Sequence, residues 1–263
     1  MDIIKEPAEK AENTLRRHLI GGALCAFTSY TLVREARAAA SVTDGRLSAK
    51  RWIDRQEEMA RGLHTGTLTQ AAWHDEVMRL DREVEVPDLM KEAARGRITQ
   101  AGEPFMKDPV KRNIRFLDDS GEPRRLTYAA AIFSFEPESV ITPHAHKHLA
   151  TAHMVVDGRV RVRTFDRLAD REGALLIRPT GDHVARVGEA AAMTTVKDNV
   201  HWFTPVGGRA VTFDVIISDL DPGQDSYLIQ PLDPLGGERQ ADGSILAPLV
   251  SFAEGMKRYN ARM

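Results

Sequence analysis

Two periodicities divide this chain. From Ser48 to about Arg95, apolar residues recur at the spacing of helices with one buried face. Ser48 is placed to cap a first helix whose inner positions are Trp52, Met59, Ala60 and Leu63, with Gly62 and Gly66 near its end. Thr69 can cap a second, which puts Ala72, Trp73, Val77, Leu80 and Val84 on one face, and Pro87 opens a shorter third segment. The tryptophans and methionines here read as packing contacts.

From Asn113 onward the apolar residues fall into short strand-like runs instead. Ile114 to Leu117 leads to a turn at Asp119-Ser120-Gly121, and Leu126–Phe135, Val140–His146, Ala150–Val156 and Val160–Phe165 follow. Further runs are Ala174–Ile177, Val184–Val187, Met193–Val196, His201–Val206 and Ala210–Ile217, with turns at Asp157-Gly158 and Gly207-Gly208. So many short strands predict a mainly β sandwich or barrel. The expected organisation is a helical N-terminal extension over 41–105 packed on the barrel, the barrel over 106–250, and a short amphipathic C-terminal helix over 251–263.

The first forty residues form a separate segment. Arg16-Arg17 precede a weakly apolar stretch from Leu19 to Val33, and an alanine-rich end at Ala36-Arg37-Ala38-Ala39-Ala40 offers an A-x-A cleavage site. The pattern resembles a twin-arginine export signal over 1–40 and implies a periplasmic or otherwise exported protein. The alternative is an amphipathic helix that stays attached. The apolar stretch is too short and polar to span a membrane comfortably, so no stable span is expected after cleavage. The single cysteine, Cys25, lies in this segment, which leaves the mature chain without a thiol for a disulfide, a nucleophile or a metal ligand.

Charge excludes one class of partner. Lysine plus arginine number 36 against 38 for aspartate plus glutamate, and a net charge of -2 gives no electrostatic case for nucleic acid. Lys111, Arg112, Arg115, Arg124 and Arg125 cluster locally, as solvated strand edges and a turn or as an anion contact.

The candidate chemistry lies in Thr142-Pro143-His144-Ala145-His146-Lys147-His148. Residues two apart on a strand share a face, so His144 and His146 project together into the barrel and can hold one metal at about 2.1 Å per bond. A third ligand must come from a distant strand, and His201 in Asn199-Val200-His201 is the best placed. His153 should also face inward, as a proton carrier, a substrate contact or a hydrogen-bonded core histidine. His148 is placed at the barrel mouth, His183 in a loop, and His64 and His74 facing solvent on the helices.

The stretch from Ile132-Phe133 to Gly158, with its His-x-His pair, is similar to the first cupin motif. With Phe165-Asp166, Asn199-Val200-His201 and Phe213-Asp214-Val215, residues 126 to 230 resemble the cysteamine dioxygenase and plant cysteine oxidase group of thiol dioxygenases. The resemblance implies a cupin double-stranded β-helix, one non-haem Fe(II) per chain on His144, His146 and His201, and oxidation of a small thiol to its sulfinate by O2. It makes Asp214 functionally important, orienting a ligand imidazole or a bound intermediate, and Tyr227 a stand-in for the group's tyrosine. General cupins carry a glutamate ligand on the next strand; that position is Thr151 here, which leaves three neutral ligands. Lys147-His148 and Ser218-Asp219-Leu220 depart from the group's pattern where substrate contacts arise. The contrasting expectation is a cupin that binds metal or ligand without turnover, or carries copper or zinc. A homodimer is the default assembly.

Overall fold

The computed structural model describes residues 46–221, 223 and 228–259. The proposed signal segment, Cys25 and Tyr227 lie outside the described residues. Among the described residues, helices α1 (Ala49–Thr65), α2 (Gln70–Asp81) and α3 (Val86–Arg95) come first. Strands β1 (Arg97–Gln100), β2 (Val110–Arg115), β3 (Ala129–Phe135), β4 (Ile141–Lys147), β5 (Ala150–Asp157) and β6 (Arg159–Arg171) follow. Then come β7 (Ala174–Arg186), β8 (Ala190–Met193), β9 (Val200–Pro205) and β10 (Ala210–Ile217). The last described elements are β11 (Leu228–Pro231), β12 (Glu238–Arg239), β13 (Ile245–Pro248) and helix α4 (Phe252–Arg258).

The strands form two sheets, β1-β2-β3-β10-β5-β8 and β11-β4-β9-β6-β7-β13-β12. At their centre β3-β10-β5-β8 faces β4-β9-β6-β7, and the chain crosses between the sheets at every step from β3 to β10 except the β6–β7 hairpin. That order is the cupin-type double-stranded β-helix, a jelly roll that leaves few bare edges. Part of the space between the sheets is apolar, filled by Phe135, Val155 and Met193 from the first sheet and Val160, Val162 and Phe203 from the second. The β5–β6 turn presses on β10: a Cβ on Gly158, whose φ is 70°, would lie 2.3 Å from the Arg209 carbonyl oxygen. Only glycine fits there.

The helices cover the outer face of the first sheet. Trp52, Trp73 and Leu89 share one core with Ala130, Met154, Phe213 and Val215, and the Trp52 ring meets Phe213 edge-on at 5.6 Å. Ser48, Thr69 and Gly66 cap as their positions suggest: Ser48 Oγ accepts from the Arg51 N–H, Thr69 Oγ1 from the Ala72 N–H, and Gly66 takes the left-handed conformation. Ala72 is exposed, in contrast to its expected place on the inner face.

The strands differ from the pattern in four places. β7 runs unbroken through the polar stretch Arg178–His183, which pairs with β6. Met193–Val196 is not a strand beyond Met193, because Thr194 Oγ1 accepts from the Val196 and Lys197 N–H groups and turns the chain. β1 forms within the segment assigned to the helical extension, pairing Ile98 with Ile114. Short strands β11 to β13, with few alternating apolar residues, extend the second sheet.

One buried charge in the helical layer has a measurable consequence. Asp81, 2% exposed at the end of α2, accepts from Trp52 Nε1 (3.1 Å) and Gln56 Nε2 (3.3 Å). Burial pushes its carboxyl up to about 7. The unfolded chain ionises this group near pH 4, so the folded state holds a proton that the unfolded state has lost between about pH 4 and pH 7. Its contribution is full below the unfolded value and is lost as pH rises through the folded one. Asp81→Asn keeps an oxygen acceptor and removes the charge. Urea denaturation should show it more stable than the parent by a few kcal/mol at pH 8, on the order of the shift, with little difference at pH 4. An equal effect at both pH values would contradict this assignment.

Candidate metal centre

β4 and β9 are neighbours in the second sheet, and their register sets His144 opposite His201. His146 lies two residues along β4 on the same face. All three are at least nine-tenths buried. Their ring centroids are 4.8 Å apart for His144 and His146, 4.2 Å for His144 and His201, and 4.9 Å for His146 and His201. One nitrogen from each lies within 4.8 Å of the others. Among the described residues this is the only such grouping of histidine, cysteine and carboxylate side chains, and it contains no carboxylate.

The nitrogens can be assigned from their partners. His144 Nδ1 lies 2.8 Å from the Thr142 carbonyl oxygen, which only accepts, so Nδ1 carries the proton and the neutral ring presents a lone pair at Nε2. That Nε2 is 3.0 Å from His146 Nε2. Two nitrogens about 2.1 Å from one ion at right angles are about 3.0 Å apart, so this separation already suits a shared metal. His146 Nδ1 and His201 Nδ1 are buried without a hydrogen-bond partner among the described residues. The donor set fits a divalent transition metal that accepts imidazole.

Burial holds His146 and His201 well below the usual histidine range, and the neighbouring rings, His144 foremost, add to the effect. Neutral imidazole is the form that binds metal.

His153 and Asp214 stand across from each other on β5 and β10 of the first sheet. His153 Nδ1 donates to Asp214 Oδ2 at 2.6 Å, and Thr151 Oγ1 lies 3.1 Å from His153 Nε2. The His153 ring sits 5.4 Å from that of His201 and 4.9 Å from Phe203. Of the two roles expected for Asp214, orienting a ligand imidazole or a bound intermediate, the first is not seen: its hydrogen-bond partner is His153, outside the trio. His74 is also placed differently, since it is buried and its Nε2 lies 3.0 Å from Asp198 Oδ2. His183 is exposed on β7, His64 is exposed on α1, and His148 is half-buried with a φ of 59°.

The loop from Thr194 to Asn199, which leads into β9, is held from both sides. Asn199 Nδ2 donates to the carbonyl oxygens of His146 (2.8 Å) and Thr194 (2.9 Å). Gln70 Oε1, at the start of α2, accepts from Thr195 N at 2.8 Å. Gln70 and His74 were not expected to bear on the site, because each meets a partner more than a hundred residues away. A pocket of about 420 Å³ lies alongside, with His146, Lys147, His148, Arg167, Asp170 and Asp221 in its wall.

No family model matches the chain, and no curated protein matches it. Solved structures similar to parts of it include procruciferin, an 11S globulin from Brassica napus, at 12% identity over 48% of this chain and 28% of that one, TM-score 0.34. Oxalate oxidase in complex with glycolate is 18% identical over 47% of this chain and 56% of that one, TM-score 0.33. A vicilin from Solanum melongena is 15% identical over 41% and 27%, TM-score 0.31. The chain thus covers between 27% and 56% of the length of these proteins. Likenesses of that extent assign no metal, substrate or activity. Among the described residues no helix is long and apolar enough to cross a membrane.

The depressed histidines predict how the metal-free protein responds to acid. The unfolded chain protonates its histidines near pH 6.5, while His146 and His201 stay neutral in the fold. Below that pH the unfolded state takes up protons that the folded state refuses, so stability falls with pH, by up to about 1.4 kcal/mol per unit per histidine. The urea midpoint of metal-free protein should drop between pH 7 and pH 5, and His201→Gln should make that dependence shallower. An unchanged slope in the variant would rule out a protonation-resistant His201.

Proposed function

We propose that this chain is a metal-dependent cupin in which His144, His146 and His201 hold one Fe(II), and that it oxidises a small thiol with O2. The observation that carries this reading is the buried trio of imidazoles with no carboxylate in it. Three neutral ligands leave the full charge of a divalent ion uncompensated, which favours an anionic substrate atom such as a thiolate. Bound Fe(II) would supply a centre that accepts both thiolate and O2. The overall conversion, R–SH + O2 → R–SO2H, places both oxygen atoms on sulfur.

The chain's own residues would handle the proton. With Nδ1–H given to Asp214, His153 is left with a lone pair at Nε2, where the Thr151 hydroxyl donates. His153 is the group in this site suited to take the thiol proton, directly or through Thr151. Asp214 fixes the tautomer and stabilises the imidazolium, as a carboxylate does for a working histidine. Apolar side chains around Phe203 keep bulk water from this side of the trio.

A copper- or zinc-loaded protein, catalytic or not, is the second reading, and the same observation supports it. An all-imidazole donor set ranks copper above iron in affinity. On this reading, as on the first, the segment over 1–40 with Arg16-Arg17 directs export, with a mature N-terminus near Ala39 to Ser41. Replacing both arginines with lysine should retain the protein in the cytoplasm. An exported protein that keeps Met1 would refute cleavage.

Two measurements test the chemistry. His144→Ala, His146→Ala and His201→Ala should each lose most bound metal by elemental analysis while circular dichroism stays that of a folded barrel; Thr151→Ala should keep its metal. Full occupancy in His201→Ala would remove it from the ligand set. In the second, the Fe(II) form is given cysteamine, cysteine, 3-mercaptopropionate or peptides with an N-terminal cysteine, and O2 uptake and sulfinate are followed. At least one thiol should raise uptake above the iron-only background. Asp214→Asn should retain iron and turn over roughly 10- to 100-fold more slowly. If no thiol raises uptake, the dioxygenase reading fails and the copper-loaded form becomes the leading one.

A further inference from the structure

Both strands that carry the trio are held from behind by the C-terminal segment. Side chains alternate along β9, so Trp202 faces outward where His201 and Phe203 face into the barrel. The Trp202 ring meets Tyr259 edge-on at 4.8 Å, and the Arg163 guanidinium lies 3.7 Å from its centre. Trp202, Tyr259, Met256 and Val140 form a buried cluster of their own. On β4, helix α4 rests against Thr142: a Cβ on Gly255 would lie 3.4 Å from Thr142 Oγ1. Thr142 is the residue whose carbonyl accepts from His144 Nδ1. β11 pairs along the same strand, with Pro231 opposite His144 and Ile229 opposite His146. On each strand the helix therefore touches a residue one step from a ligand of the trio.

One buried carboxylate fastens this segment. Asp233, 4% exposed, follows β11. Its Oδ1 accepts from the Tyr259 hydroxyl at 2.5 Å and from the Gly236 N–H at 3.0 Å, and its Oδ2 accepts from Arg258. A hydroxyl bonded to an ionised carboxylate at that distance is among the stronger protein hydrogen bonds. α4 has seven residues, too few to form without tertiary anchors. His201 depends on this backing in particular. Its Nδ1 has no hydrogen-bond partner among the described residues, so packing and the β9 backbone fix where its ring sits.

We propose that the C-terminal helix is a latch for the metal centre, in which Asp233 and Tyr259 are positioning residues that set the metal affinity of the trio from outside the barrel. A closed latch holds Trp202 and Thr142 in place, and with them the backbone of His201 and the carbonyl that orients His144. An open latch leaves both strands freer and the ligands less well placed. The inference rests on the reading of the trio as a metal centre and makes no use of the thiol chemistry.

The test uses the full chain and reads metal, without thiol or O2. Co(II) is the probe, because its visible absorption reports the geometry of its ligands, and its affinity is measured by chelator competition. Tyr259→Phe keeps the ring against Trp202 and loses the bond to Asp233. It should bind Co(II) roughly tenfold more weakly than the parent, an ordinary coupling between sites, with a changed absorption spectrum. Lys257→Ala, exposed on the same helix, should change neither. Coupling is reciprocal, so Co(II) should slow hydrogen exchange of the parent's Tyr259 amide, bonded to the Gly255 carbonyl at 2.9 Å, by a similar factor. A merely structural Tyr259 would lower the melting temperature of metal-free protein and leave Co(II) affinity and spectrum as they are; that result overturns the proposal. So does exchange at Tyr259 that is indifferent to Co(II), a measurement on the parent that decides the matter even if Tyr259→Phe fails to fold. A parent that binds no Co(II) refutes the metal centre and the latch together. Co(II) bound without coupling refutes the latch alone, and a failed thiol assay touches neither.

Discussion

A buried imidazole needs partners for its ring nitrogens, and that constraint organises the interior of this barrel. Four such rings are packed between the sheets. His144 gives its proton to the Thr142 carbonyl, and His153 gives its proton to Asp214. The Nε2 lone pair of His144 is thereby turned toward His146, 3.0 Å away. His146 and His201 each keep a buried Nδ1 with no partner among the described residues. A shared cation would use the lone pairs that these rings turn toward one another. The same desolvation that depresses these histidines keeps them in the form a metal requires.

The surrounding structure supports the trio by fixing backbone, since side-chain partners are few. β4 and β9 place His144 and His201 in register. The loop before β9 is tied to β4 by Asn199, whose amide bridges the carbonyls of His146 and Thr194. It is tied to α2 by Gln70 and His74, through Thr195 and Asp198. The helical layer thus does more than cover apolar sheet surface: it braces the segment that delivers the third histidine. Loss of such a brace would move a ligand without touching it, and small displacements of this kind are costly at reactive centres.

The sequence made the core of this picture legible because both periodicities are local. A two-residue repeat put His144 and His146 on one face, and capping residues marked the helices. Gly158 was visible as a turn, although its close approach to Arg209 was not. What escaped depends on pairings across long stretches of chain. Arg178–His183 is polar and reads as a loop, yet it is strand because β6 supplies its hydrogen bonds. His74 looked solvent-facing because the helix pattern says nothing of Asp198, which reaches it from a distant loop. The pairing of Asp214 with His153 is not legible in the sequence, since only the β5–β10 register brings the two together.

The central claim is that one ion sits between His144, His146 and His201. Anomalous diffraction from crystals of Fe(II)-loaded protein, recorded on both sides of the iron edge, tests it most directly. The account predicts a single strong peak within about 2.3 Å of a ring nitrogen of each of the three, with His153 still bonded to Asp214. A peak ligated by His153 in place of His201, or no peak in the barrel at full iron loading, would contradict it.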